Sequence, residues 1–162
     1  MQNENPEIFD ISCERINLKL SNGKVSPTVE NIFEILRDIK DPEHSYSLEV
    51  LKVINSSSIK IYKLDSQGSD QLPLALLDLD IIEVTFTPTI PHCSMAGIIG
   101  LCIYYQLKRY LKNSFWFRIL IEKDKHVNYE ALNKQLNDKE RVAAALENGD
   151  LLNLITELVP TI

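Results

Sequence analysis

The sequence predicts an α/β domain of the α+β kind: a small mixed sheet built on a βαβ unit, with one helix before it and helices after it. Three observations carry this expectation. Two short runs rich in β-branched and aromatic residues, IIEVTFT at 81–87 and FWFRILIE at 115–122, flank a long apolar helical stretch at 94–110. An amphipathic pattern at 27–39 precedes them, and helical spacing dominates the C-terminal part of the chain. The length of 162 residues suits one domain that buries roughly two thirds of the surface of its unfolded chain.

Taken in order, residues 1–25 lack sustained periodicity and contain Asn22-Gly23, so they read as a flexible tail with one turn, leaving 26–159 as the domain. Ser26 is a good N-cap and Pro27 fits the first helical position, after which Val29, Ile32, Phe33, Leu36 and Ile39 recur at three- and four-residue spacing. Asp41-Pro42 stops that helix, because the residue before a proline is driven from the α region and proline donates no hydrogen bond. Residues 48–54 and 58–64, separated by serines, read as a β-hairpin. A polar loop comes next at 65–71, and the leucine-rich 73–80 fits either a short helix or a loop packed on the core.

The run at 81–87 is a strand ending at Pro88. The stretch 94–110 presents a broad apolar face, with Lys108, Arg109 and Lys112 near its C-terminal end, where cations complement the helix dipole. Strand, helix and strand then imply a right-handed crossover and parallel pairing. Asn137 with Glu140 fits a capping box opening a helix that Asn148-Gly149 closes in a left-handed conformation, and a final apolar helix ends at Pro160.

Composition narrows the function. Hydrophobic residues at 44%, charged residues at 25% and a net charge of −6 are globular values that oppose direct nucleic-acid binding, which needs a basic face. Three cysteines without CxxC spacing do not form a disulfide framework and suit a reducing compartment. With no signal-peptide pattern and no apolar run near the roughly 18–20 residues that span a bilayer, the expectation is a cytoplasmic protein, with the nucleus open, and no membrane partner. The phosphate-loop, dinucleotide, nucleophile-elbow and HExxH patterns are missing, as is any Cys/His set for structural zinc.

The segment PTIPHCSMAGIIGL at 88–101 places Cys93 between a strand's carboxyl end and a helix N-terminus. Helix-end N–H groups favour a thiolate there, lowering a cysteine from about 8.5 into a range of roughly 3.5–7.5; the alternative is a small buried hydrophobe. His92 beside it and His126 after the second strand are candidate neighbours. DPEH at 41–44 gathers Asp41, Pro42, Glu43 and His44, able to orient a thiol, ligate a metal or cap a turn. Cys102 falls on the other side of the helix from Cys93 and reads as core, and Cys13 carries no role. Lys134, Asp138, Lys139, Glu140 and Arg141 surround an alanine-rich helix, either as a solvated face or as the charged rim of a partner-docking surface.

Three strings, LRDIKDPEH at 36–44, FTPTIPHCSMAGIIGL at 86–101 and NKQLNDKERVAAALEN at 133–148, resemble in order the signature blocks of the eukaryotic cytosolic iron-sulfur assembly component 2 family, a branch of the domain of unknown function 59 superfamily. The likeness spans about residues 26–155. It implies a non-enzymatic adaptor of the cytosolic iron-sulfur targeting complex, working with a WD-repeat propeller subunit and a HEAT-repeat scaffold to deliver clusters to apo-proteins. It also implies a reactive cysteine at Cys93 and an acidic turn at Asp41, Pro42 and Glu43. Clusters commonly take four thiolates, so Cys93 would share a transient one with a second copy, a partner or a client, and no cofactor is stably held. The other reading is a cysteine-dependent thiol enzyme with Cys93 as nucleophile and His44, His92 or His126 as base. The chain departs from the family in the run 124–129, where only the histidine of a Gly-Thr-His-x-Ser-Glu-like pattern remains, and in a longer connection at 65–80.

Overall fold

A computed structural model describes residues 6–9, 14–63, 80–91 and 95–162. The connection at 65–79, and with it the question of a helix or loop there, lies outside the described residues, as do Cys13, His92 and Cys93.

Helix α1, Val29–Leu36, begins later than its sequence suggests. Thr28, not Ser26, is the N-cap: its hydroxyl accepts the Asn31 N–H at 3.1 Å, while the Ser26 carbonyl accepts the Asn31 side-chain amide at 3.0 Å. The helix stops at Leu36, short of residue 39, because the chain turns through Arg37 and Asp38 and Lys40 then pairs with Ser47.

The expected hairpin of 48–54 with 58–64 does not form. Leu48, Leu51, Val53 and Ile54 are all buried, an arrangement that period-two alternation does not produce. The segment is instead a knot of turns, with Leu48 N–H on the Ile39 carbonyl at 2.8 Å, Val53 N–H on the Leu48 carbonyl at 2.9 Å and Lys52 left-handed at φ 53°. Strand β1, Ile59–Lys63, pairs antiparallel with β2, Asp80–Phe86, with Ile59 opposite Val84. Helix α2, Ala96–Tyr110, carries the chain over to β3, Trp116–Ile121, which lies parallel to β2 with Ile81 opposite Trp116 and Phe86 opposite Ile121. The sheet is therefore mixed, in the order β1-β2-β3, and the βαβ unit stands as the spacing predicts. Ile99, Cys102, Ile103 and Leu107 of α2 share one core with Ile32, Ile35 and Leu36 of α1 and with Val84, Phe86, Ile119 and Ile121 of the sheet.

Three helices complete the domain: α3, Tyr129–Leu136; α4, Lys139–Glu147; and α5, Gly149–Leu158. Asn137 is not the head of a capping box. Its side chain accepts the Ile119 N–H at 3.1 Å and donates to the Ile119 carbonyl at 2.9 Å, and Asn133, one turn earlier, does the same for Ile121 at 2.7 and 3.4 Å. Two amides four residues apart thus occupy the backbone groups that β3 would otherwise leave open at the sheet edge. Asp138 caps α4 instead, accepting the N–H groups of Glu140 and Arg141 at 3.1 and 3.3 Å. Asn148 is no left-handed close either: at φ −70° it caps α5, accepting the N–H groups of Asp150 and Leu151. Asn22 and Gly23 do make the expected turn, at φ 53° and 75°. Val25 N–H then bonds the Tyr110 carbonyl at 2.8 Å, and Arg15 forks onto Asp38 at 2.6 and 2.7 Å. Among the described residues no helix is long and apolar enough to cross a membrane.

Candidate functional site

The loop after α1 is built on buried charge. Arg37, fully buried, donates through Nε and Nη2 to the two carboxylate oxygens of Glu49 at 2.8 and 2.6 Å and through Nη1 to Glu34 at 2.9 Å. This pins the turns at 48–54 against α1 and so fixes both ends of the acidic bend. Within the bend Asp41 is 2% exposed. Its Oδ1 accepts the N–H groups of Glu43 and His44 at 2.8 and 3.1 Å, and its own N–H donates to the Tyr46 carbonyl at 2.9 Å. Pro42 is at the second position of this turn, where its fixed φ is an asset. Asp41 Oδ2 and Glu43 Oε2 are buried without a hydrogen-bond partner among the described residues, which for a carboxylate is costly. The bend therefore offers two acceptors that its own fold leaves unfilled.

The second component is the strap that leaves β2. Thr87 N–H bonds the Val53 carbonyl at 2.9 Å, so the strap is tied to the same turns that carry the acidic bend. On its other side the Thr87 hydroxyl donates to Glu122 at 2.5 Å and the Pro91 carbonyl accepts the Val127 N–H at 3.0 Å. Thr89 Oγ1 is buried and has no partner among the described residues, a further open polar atom that no sequence pattern announces. His126, 7% exposed, stands in the loop bonded to Pro91, and its Nδ1 accepts the Asn128 N–H at 3.0 Å. Backbone bonds of Leu48 to Ile39, Val53 to Leu48 and Thr87 to Val53, with Glu122 to Phe86 and Val127 to Pro91 on the other side, thus tie the 41–44 bend, the strap and the loop that carries His126 together at the carboxyl ends of the parallel strands.

Cys102 is excluded as a reactive group. It is fully buried, and burial first, with the Asp41 charge second, pushes its thiol up to about 12. It remains protonated at neutral pH, as expected of core. Among the described residues no group of three or more His, Cys, Asp or Glu side chains is set to hold a metal ion.

The charged residues of the third block are dispersed. Asp138 is used as a cap and its Oδ2 is 3.7 Å from Arg141 Nε, Lys139 lies 3.6 Å over the Trp116 ring, and Lys134 and Glu140 are exposed. Arg37 and Glu49 escaped notice because a pair twelve residues apart, formed only in the fold, leaves no local pattern.

No protein-family model matches this chain. Whole-length similarity to curated proteins is extensive. Protein AE7 of Arabidopsis thaliana is 40% identical over 163 residues, covering 98% of this chain and 95% of that protein. The MIP18 family protein galla-2 of Drosophila melanogaster is 40% identical over 162 residues, covering 98% and 95%. Cytosolic iron-sulfur assembly component 2B of Mus musculus is 39% identical over 160 residues, covering 97% and 90%.

Proposed function

This chain belongs to the MIP18 family, that of the cytosolic iron-sulfur assembly component 2 whose signature blocks it resembles, and from that premise we propose that it acts in cytosolic iron-sulfur protein assembly. Its role is that of a non-enzymatic adaptor, which brings cluster-bearing partners and apo-protein clients together. The observation that carries this reading is similarity at about 40% identity along nearly the whole chain to a protein named for cytosolic iron-sulfur assembly.

The local chemistry supports it. Cys93 follows the strap by two residues and precedes α2 by three, and the acidic bend holds open acceptors rather than a finished acid-base relay. A lone thiolate cannot retain a cluster, which suits cargo passed between proteins. On this reading the WD-repeat and HEAT-repeat subunits supply the remaining surfaces, in the cytosol and in the nucleus.

The test is Cys93→Ala in cells lacking the native protein. Folding and co-purification of partners are retained, while iron incorporated into client iron-sulfur proteins falls. Full client loading by that variant would refute the role given to Cys93, and co-purification with no iron-sulfur factor at all would refute the adaptor reading itself.

A further inference from the structure

Cations are unevenly placed in this chain. From residue 84 to residue 121 there is no Asp or Glu, although acids outnumber bases by 23 to 17 overall. Within that span α2 ends in Lys108 and Arg109, with Lys112 just beyond. Lys24, from the turn at 22–23, folds onto this end, donating to the carbonyls of Lys108 and Arg109 at 3.4 and 2.8 Å. The first residue of α4, Lys139, lines the same cavity as Lys108.

Two cavities open here, and Phe115 lines both. One of about 160 Å³ is bordered by Tyr104, Lys108, Trp116 and Lys139; the other, about 430 Å³, by Lys19, Lys24 and Lys112. Among the described residues neither lining contains a carboxylate. The ammonium groups of Lys139 and Lys108 lie 3.6 Å from the Trp116 ring centre and 5.7 Å from that of Tyr104. Neither has an ion-pair partner among the described residues. Burial, and after it the Lys108 charge, push the Lys139 amine below its usual range. Ring faces offset about 0.5–1 kcal/mol of such crowding at exposed sites, and only an anion removes the repulsion itself.

We propose that this basic end, with Lys108 and Lys139 in one cavity and Lys24 and Lys112 in the next, is the docking site for an acidic segment of a protein partner. Charge complementarity selects the occupant: adjoining cation-lined hollows, separated by an aromatic side chain, match carboxylates spaced along a polypeptide. A nucleic acid fits less well, because Lys139 already covers the Trp116 face on which a base would stack. The assignment takes its meaning from the adaptor reading, but its test needs neither cluster nor client, so the two fail separately.

The experiment titrates the full chain with a synthetic glutamate-rich peptide at low salt, reading the fluorescence of Trp116, the chain's one tryptophan. A saturable change is expected that weakens with added salt. Lys108→Glu weakens binding by about tenfold or more, since a like charge then faces the ligand, whereas Lys60→Glu on β1 leaves it unchanged. An unchanged melting temperature confirms the fold of Lys108→Glu. No saturable signal, equal binding by the two variants, or tighter binding of single-stranded DNA of matched charge would each overturn the proposal.

Discussion

Arg37 and Asp41 are four residues apart and equally sealed from water, at 0% and 2% exposure, yet the fold treats them in opposite ways. Arg37 meets Glu49 and Glu34 in short, forked contacts that join α1 to the turns at 48–54. Asp41 organises its own bend through one oxygen, leaving the other, and an oxygen of Glu43, with no donor. Paired buried charge is scaffold here. Half-paired buried charge costs stability, and folds keep such costs where the group has another task. The rigidity of the first region holds the second open.

The largest effect expected from this contrast comes from Arg37→Ala. It strands the carboxylates of Glu49 and Glu34 in the interior, a loss of about 3–5 kcal/mol that urea unfolding will read. A loss below about 1 kcal/mol would mean that the network is not the scaffold described.

Next is a pH effect set first by burial of the Cys102 thiol and only second by the Asp41 charge. The Cys102 thiol is raised from 9.0 to about 12, so its neutral form is favoured in the folded state. The resulting stability is fully present below pH 9 and is lost as pH rises towards 12, at up to about 1.4 kcal/mol per unit. Cys102→Ala should shed this component of the alkaline decline, leaving the part from Tyr62 and Tyr129, which are also raised. Identical alkaline slopes for the two proteins would show that the thiol is not held by its surroundings.

Asp41→Asn is expected to change stability by no more than about 1 kcal/mol, because the amide keeps the Oδ1 acceptor while the buried charge disappears. Client loading should nevertheless fall. A cost as large as that of Arg37→Ala would erase the distinction between the two regions.

The same contrast explains what the sequence made legible. β2, α2 and β3 were readable because IIEVTFT, the apolar face at 94–110 and FWFRILIE each match one period over their full length. Residues 48–54 were not, since their burial rests on Glu49 reaching Arg37, an interaction without local signature. Asn137 misled for a related reason: amides are common caps, and only the fold brings Asn133 and Asn137 against the edge of β3. At the site, Asp41-Pro42 announced the bend, while the orphaned hydroxyl of Thr89 emerged only once the strap was packed.

The smallest effect belongs to a third arrangement of charge, Arg15 with Asp38 on the outside of the same turn. Their forked contact is short, at 2.6 and 2.7 Å, but the Arg15 side chain is 52% exposed and Asp38 39%. Solvent screening therefore limits Arg15→Ala to roughly 0.5 kcal/mol. The Arg15 hydrogen bond holds the Asp38 carboxyl below its usual range, so this contribution is present above the ordinary carboxylate pKa and fades as pH falls through the depressed one. Added salt should shrink it further, while leaving the Arg37→Ala loss nearly constant, since sealed pairs are screened far less. Equal salt sensitivity of the two losses would place Arg37, like Arg15, in contact with water, and the contrast with Asp41 would then have to be drawn from burial alone.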